Sequence, residues 1–109
     1  MRLKIYKKGE VIKTYEADTY DLMFSVAEDI SNLIDLDIIQ KGDNAELVKL
    51  VGKVVINSMD KVKDLLKDIF AGITDEELKN TKLKEIVAVF IEVGKYTVKE
   101  IQEVAKQKN

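Results

Sequence analysis

The sequence predicts a mainly helical α+β protein, in which an N-terminal two-stranded β-hairpin packs on three main helices and one short helix. Before residue 14 the apolar residues recur at every second position, which is the period of a β-strand. After residue 24 they recur at intervals of three and four almost to the C-terminus, which is the period of an amphipathic helix. A chain of 109 residues suits one domain, with a hairpin over 1–17, a helical body over 18–105 and a frayed tail over 106–109.

The hairpin is predicted from two short segments, 2–7 and 10–17, joined by a two-residue turn at Lys8-Gly9. That turn sets three facing pairs, which are Ile5 with Ile12, Leu3 with Thr14, and Lys4 with Lys13. An isolated two-stranded hairpin is only marginally stable in water. We therefore expect this hairpin to pack on the helices, on another subunit, or on both.

The first helix is predicted to begin near Asp18 or Thr19 and to end near Asp35, because Asp18 and Asp21 have the spacing of a capping box. Its apolar stripe consists of Leu22, Met23, Val26, Ile30, Leu33 and Ile34. The segment 37–42 is predicted as a loop. Asp35 and Asp37 at its start lack the ligand spacing of a calcium loop.

A long second helix is predicted over 44–71, capped by Asp43 or Asn44 and stopped by Gly72, with the spacing of a capping box between Asp43 and Glu46. The polar step Asn57-Ser58 leaves open whether this helix is continuous or divided in two. Thr74 then opens a short helix with acidic residues in its first turn, which ends about Lys79.

The last helix is predicted to begin at a cap formed by Asn80 or Thr81. Its apolar stripe consists of Leu83, Ile86, Val87, Phe90, Ile91, Val98, Ile101, Val104 and Ala105. Gly52 and Gly94 each interrupt a helical stripe, where glycine costs roughly 1 kcal/mol relative to alanine. We expect a Gly–Gly contact between the second and last helices, with close approach of another chain as the alternative.

Composition argues against most kinds of catalysis and against general nucleic-acid binding. The chain has 18 basic and 20 acidic residues, so its net charge of −2 is nearly balanced, whereas general nucleic-acid binders are normally basic. It contains neither cysteine nor histidine, which removes the usual nucleophilic pairs and the preferred zinc ligands. We predict no enzymatic activity, no cofactor and no metal. The helical pair over 74–87 leaves a small DNA-binding or regulatory domain as the alternative, and an enzyme subunit as a weaker one.

The N-terminus lacks the apolar run of a signal peptide, and no uninterrupted apolar stretch approaches the roughly 20 residues that span a bilayer. We expect a soluble protein of the cytoplasm with no membrane contact.

Five positions are candidates for partner binding: Tyr6, Val11, Ile12, Tyr15 and Gly94. The strand edges of a hairpin can accept a strand from another chain, so a homo-oligomer is possible. The lysines at 4, 7, 8 and 13 could instead prevent such pairing. The aromatic residues Tyr6, Tyr15, Tyr20 and Phe24 are expected to pack the hairpin onto the first helix, with a partner surface as the alternative.

Several stretches together resemble the small tail assembly chaperones of long-tailed phages and prophages of Gram-positive bacteria. The similarity begins with KIYKKGEVIKTYEADTYDLM at 4–23 and continues through NSMD at 57–60 and LLKDIF at 65–70. It extends over GITDEEL at 72–78 and TKLKEI at 81–86, so it spans nearly the whole chain. None of these strings is a catalytic fingerprint.

The resemblance implies a non-enzymatic function in tail assembly. Members of this family are thought to coat the long tape-measure protein, keep it soluble and recruit tail-tube subunits around it. It therefore implies the tape-measure and tail-tube proteins as partners and the cytoplasm of the bacterial host as the compartment. Tape-measure proteins are long, largely helical and apolar-striped, which favours contact by a helix lying in a groove.

Overall fold

The computed structural model describes residues 1–41 and 43–107. In chain order they form strands β1 (Arg2–Lys7) and β2 (Glu10–Glu16), a 3₁₀ turn (Thr19–Asp21), and helices α1 (Phe24–Leu33), α2 (Leu36–Lys41), α3 (Asn44–Asn57), α4 (Met59–Ile69), α5 (Asp75–Leu78) and α6 (Leu83–Gln107). The predicted α+β class, with one N-terminal antiparallel hairpin on a helical body, is confirmed. Of the tail predicted to fray, residues 106 and 107 belong to α6, and residues 108 and 109 lie outside the described residues.

The turn of the hairpin is as predicted, but beyond it the predicted strand register differs from the observed one by one residue. Lys8 and Gly9 both have positive φ angles, 52° and 81°, which is the requirement of a type I′ turn. Across the hairpin Tyr6 faces Val11 but Ile5 faces Lys13, so Ile12 is an extra residue in β2. This β-bulge replaces the predicted pairs by Ile5 with Lys13, Leu3 with Tyr15, and Lys4 with Thr14.

The first helix begins later than predicted, and the loop predicted after it is mostly helical. Asp18 caps only the short 3₁₀ turn, where its carboxylate accepts a hydrogen bond from the Tyr20 N–H. Helix α1 starts at Phe24 without a side-chain cap. Residues 36–41 form α2, where the Asp35 carboxylate accepts a hydrogen bond from the Asp37 N–H as in a helix cap. Gly42, the last residue of the predicted loop, lies outside the described residues.

The long second helix is divided at Ser58, which is the alternative that its polar sequence left open. Ser58 has φ −126° and ψ 41°, and it both ends α3 and begins α4. The division lets the two halves reach different neighbours, because α3 packs mainly on α6 whereas α4 packs on α1. The Asp43 cap at the start of α3 is confirmed by a hydrogen bond from the Glu46 N–H to its carboxylate at 2.8 Å.

Helix α6 is the central element of the fold, in contact with α1, α2, α3 and β1. It begins at Leu83, two residues after Thr81, the later of the two predicted caps. The buried residues of α6 are Ile86, Val87, Val89, Phe90, Val93, Gly94 and Thr97. The predicted stripe omitted Val89 and Val93, and it included Ile101 and Val104, which are 56% and 52% exposed. The core therefore covers only the first part of this helix.

The predicted contact between the two helical glycines is wrong, although a close approach exists at one of them. A methyl group added at Gly94 would overlap the Cδ1 atom of Ile39, a buried residue of α2. A methyl group added at Gly52 would meet no atom within 4 Å. Gly94 thus admits α2 to the surface of α6, and Gly52 has no such role among the described residues.

Candidate binding surface

The two hairpin tyrosines, Tyr6 and Tyr15, attach the hairpin to the helical body. The Tyr6 hydroxyl donates to the Glu85 carboxylate at 2.6 Å, and the Lys82 ammonium lies 4.5 Å from the centre of the Tyr6 ring. The hydrogen bond to Glu85 raises the pKa of Tyr6, with smaller contributions from desolvation and from the negative charge. The Tyr15 hydroxyl donates to the Glu77 carboxylate at 2.7 Å. Both tyrosines are half-buried within the chain's own fold.

One edge of the hairpin is already covered by the protein itself. The Tyr6 N–H donates to the Asn80 carbonyl at 2.8 Å, and the Lys4 N–H donates to the Glu85 carboxylate at 3.2 Å. These bonds occupy the outer edge of β1, where a strand from another chain would otherwise pair. Strand β2 forms the other edge, and the bulge at Ile12 disrupts its regular spacing.

The remaining candidate positions from the sequence separate into two environments. Val11 and Ile12 on β2 are 48% and 60% exposed, so both are accessible to a partner. Gly94 is buried beneath Ile39 of the same chain, and the described structure gives it no access to another protein. The five positions therefore do not form one surface.

A further apolar surface lies elsewhere, in a groove between α1 and the C-terminal part of α6. Its volume is about 710 Å³. It is lined by Leu22, Met23, Phe24, Ala27, Glu28, Ser31, Leu36, Tyr96, Thr97, Glu100, Ile101 and Val104. We call this set the α1–α6 groove.

Exposed apolar side chains border this groove on both sides. Met23 is 72% exposed and Phe24 is 80% exposed on the α1 side, while Ile101 and Val104 are more than half exposed on the α6 side. Single exposed apolar residues are normal on a protein surface, but a contiguous patch marks a site of interaction. Tyr20 is 84% exposed, so it is not packed on the hairpin as the sequence predicted.

The lining of the groove combines seven apolar side chains with five polar ones. Its polar members are two carboxylates, Glu28 and Glu100, together with the hydroxyls of Ser31, Tyr96 and Thr97. The Thr97 hydroxyl is satisfied by the Val93 carbonyl at 2.9 Å. A hydrogen bond to Glu100 raises the pKa of Tyr96, with smaller contributions from desolvation and from the charges of Glu100 and nearby groups.

Sequence reasoning placed Leu22, Met23, Ile101 and Val104 in buried stripes and therefore missed the groove. The signal that could have found it is an excess of apolar residues. Leu22, Met23 and Phe24 are consecutive, so a single helix face cannot bury all three.

The turn between α5 and α6, within the helical pair over 74–87, is packed against the hairpin. The Asn80 carbonyl accepts the hydrogen bond from Tyr6, and Lys82 stands over the ring of the same residue. These contacts place β1 over the turn and engage one of the lysines that would face a nucleic acid.

Within residues 1–41 and 43–107, no group of three or more acidic side chains is arranged to hold a metal ion. In the same part of the chain, no helix combines the length and the apolar character needed to cross a membrane. Comparison with protein-family models, curated proteins and solved structures gave no match to this chain.

Proposed function

We propose that this protein is a non-enzymatic tail assembly chaperone of a long-tailed phage or prophage, acting in the cytoplasm of the bacterial host. In this role it binds and solubilises the tape-measure protein and helps to recruit tail-tube subunits. The proposal joins the resemblance of residues 4–23 and later segments to one structural observation, which is the open α1–α6 groove.

The groove supports the proposal because it suits an apolar-striped helix. Its α6 wall runs from Tyr96 to Val104, which is about 12 Å at 1.5 Å per residue. A docked helix of two turns presents its apolar residues at positions i, i+3 or i+4, and i+7 over a similar length. A chaperone that holds such segments keeps their apolar stripes out of water until other subunits cover them.

The direct test is co-expression with the tape-measure protein of the same phage or prophage, followed by size-exclusion chromatography with light scattering. We expect a tape-measure protein that is insoluble alone to appear in a soluble complex, and the molar mass gives the stoichiometry and any self-association. Absence of a complex and of any gain in solubility would refute the proposed function.

A matched pair of variants links the complex to the groove. Phe24→Asp places a charge in the groove, whereas Ile56→Asp places one on an apolar side chain of α3 that is 60% exposed and lies outside the groove. We expect Phe24→Asp to abolish the complex and Ile56→Asp to retain it. Both residues are exposed, so helical circular dichroism should be unchanged in both variants.

A further inference from the structure

The charges around the α1–α6 groove are strongly segregated, although the net charge of the whole chain is nearly zero. Residues 14–40, which include α1 and most of α2, contain seven acidic residues and not one lysine or arginine. The seven are Glu16, Asp18, Asp21, Glu28, Asp29, Asp35 and Asp37. Of these seven, Glu28 lines the groove, and its own segment carries no lysine or arginine that could compensate its charge.

The opposite wall is acidic at the groove as well. Glu100 lines the groove directly. The lysines of this part of α6 are Lys95, Lys99 and Lys106. At about 100° per residue they lie about 100–140° around the helix axis from Glu100 and about 140–180° from Val104, outside the face that lines the groove. The two charged residues that line the groove, Glu28 and Glu100, are therefore both acidic.

We propose that the α1–α6 groove binds an amphipathic helix of a partner protein whose apolar stripe is flanked by lysine or arginine residues. The apolar stripe covers Phe24, Met23 and Ile101, and the flanking cations lie beside Glu28 and Glu100 on the two walls. Burial of the stripe supplies the affinity, because the hydrophobic effect scales with the apolar area removed from water. The acidic walls supply selectivity, because complementary charges favour the correct partner and repel acidic ones.

This inference rests on the proposed function only for the identity of the protein that carries the helix. It specifies the chemistry of the segment that the groove selects, and this chemistry can be tested with peptides. Two designed helical peptides share one apolar stripe and differ only in their flanking residues, which are lysine in one and glutamate in the other. Binding of each labelled peptide to the full chain is measured by fluorescence anisotropy.

At low salt we expect the lysine-flanked peptide to bind about fivefold more tightly than the glutamate-flanked peptide, which corresponds to about 1 kcal/mol for two exposed charge pairs together. In 1 M salt the Debye length falls from about 10 Å at 0.1 M to about 3 Å, so the preference should largely disappear while apolar binding persists. Equal affinities at low salt, or a preference for the glutamate-flanked peptide, would overturn the inference.

Variants separate the two contributions within the same site. The double substitution Glu28→Gln with Glu100→Gln should remove the preference for lysine and leave the affinity for the glutamate-flanked peptide equal or higher. Phe24→Ser should weaken the binding of both peptides, and Ile56→Ser, outside the groove, should leave the binding of both unchanged. Binding that is unaffected by Phe24→Ser would place the peptide elsewhere and overturn the proposal.

A second copy of the chain is the competing occupant of the groove. Light scattering of the protein alone tests it, because a dimer that dissociates on Phe24→Ser would show the groove filled by another copy and would overturn the inference.

The proposed function can fail independently of this inference. If the lysine-flanked peptide binds but the tape-measure protein forms no complex, the charge selection stands and the chaperone function falls. If the tape-measure protein forms a complex but the lysine-flanked peptide does not bind, the charge selection falls and the chaperone function stands.

Discussion

Glu77 joins the start of α5 to strand β2 through one carboxylate. It completes a capping box with Thr74 at the start of α5, accepting hydrogen bonds from the Thr74 N–H at 3.1 Å and from the Thr74 hydroxyl at 3.2 Å. The same carboxylate accepts a hydrogen bond from the Tyr15 hydroxyl, and it forms an ion pair with Lys13 at 3.5 Å. A residue that the sequence identified as a helix cap is therefore also an anchor for the hairpin.

The Glu77 carboxylate should contribute to the pH dependence of the free energy of unfolding. The Tyr15 hydrogen bond lowers the pKa of Glu77, and the Thr74 and Lys13 contacts act in the same direction. Because the folded-state pKa is below the unfolded one, near 4.3, the stabilisation is complete above that pH and is lost as the pH falls through the folded-state pKa. Urea unfolding midpoints between pH 7 and pH 3 should fall further for the unmodified protein than for Glu77→Gln, which keeps the contribution of Asp75, whose pKa the Lys67 contact lowers.

The control for this prediction is Glu76→Gln, an exposed neighbour in the same turn of helix. Its unfolding midpoints should follow those of the unmodified protein across the whole range. If Glu77→Gln and the unmodified protein lose stability in parallel on acidification, the Glu77 contacts contribute nothing to the acid sensitivity.

The bulge at Ile12 explains why these anchors were not predictable from strand alternation. A type I′ turn fixes only the pairs next to it, and one inserted residue moves every later side chain of β2 to the opposite face. Lys13 and Tyr15 thereby share a face with the buried residues Leu3 and Ile5 and reach Glu77. Cap residues such as Asp43 and Thr74 were predicted correctly because a cap depends on its own few neighbours.

At the scale of elements, the two helical glycines provide a matched comparison. Both lie inside long helices, so replacement by alanine gains about 1 kcal/mol of helix propensity in each case. Only at Gly94 does the new methyl group overlap another residue, Ile39, whereas the space at Gly52 is open. Gly94→Ala should therefore be less stable than Gly52→Ala by about 1–3 kcal/mol, the usual range for overpacking.

Urea unfolding of the two variants measures this difference directly. Adding Ile39→Val to Gly94→Ala should recover part of the loss, because the valine lacks the Cδ1 atom that the methyl group would overlap. Equal stabilities for Gly52→Ala and Gly94→Ala would mean that α2 shifts away without cost.

Periodicity predicted the existence of the helices better than their surroundings. A repeat of three and four identifies one apolar face, but it does not say what covers that face. Met23 at the start of α1 and Ile101 late in α6 continue their stripes beyond the part of each helix that neighbours cover. The groove was missed for this reason, since its position depends on where neighbouring elements end.

At the scale of the whole molecule, the described residues extend 53 Å along one axis and only 27 Å and 21 Å along the others. Helix α6 alone spans about 37 Å at 1.5 Å per residue. Its N-terminal part carries core residues such as Phe90, whereas residues 99–106 are all exposed. The last turns of α6 therefore form one wall of the groove while contributing little to the core.

Removal of residues 99–109 should separate binding from folding. Since residues 99–106 bury no side chain, we expect the free energy of unfolding to fall by no more than about 1 kcal/mol. By contrast, Phe90→Ala in the covered part of the same helix should cost about 3–5 kcal/mol. Urea denaturation followed by circular dichroism measures both effects.

The same truncated chain should lose the groove-dependent interactions, because Glu100, Ile101 and Val104 are removed together. Binding of the lysine-flanked peptide should fall at least as far as it does in Phe24→Ser, although the truncated chain remains folded. A truncated chain that unfolds would show that the end of α6 stabilises the body. A truncated chain that folds and binds as before would mean that the α1 wall alone holds the helix, because α6 would then contribute no required contact.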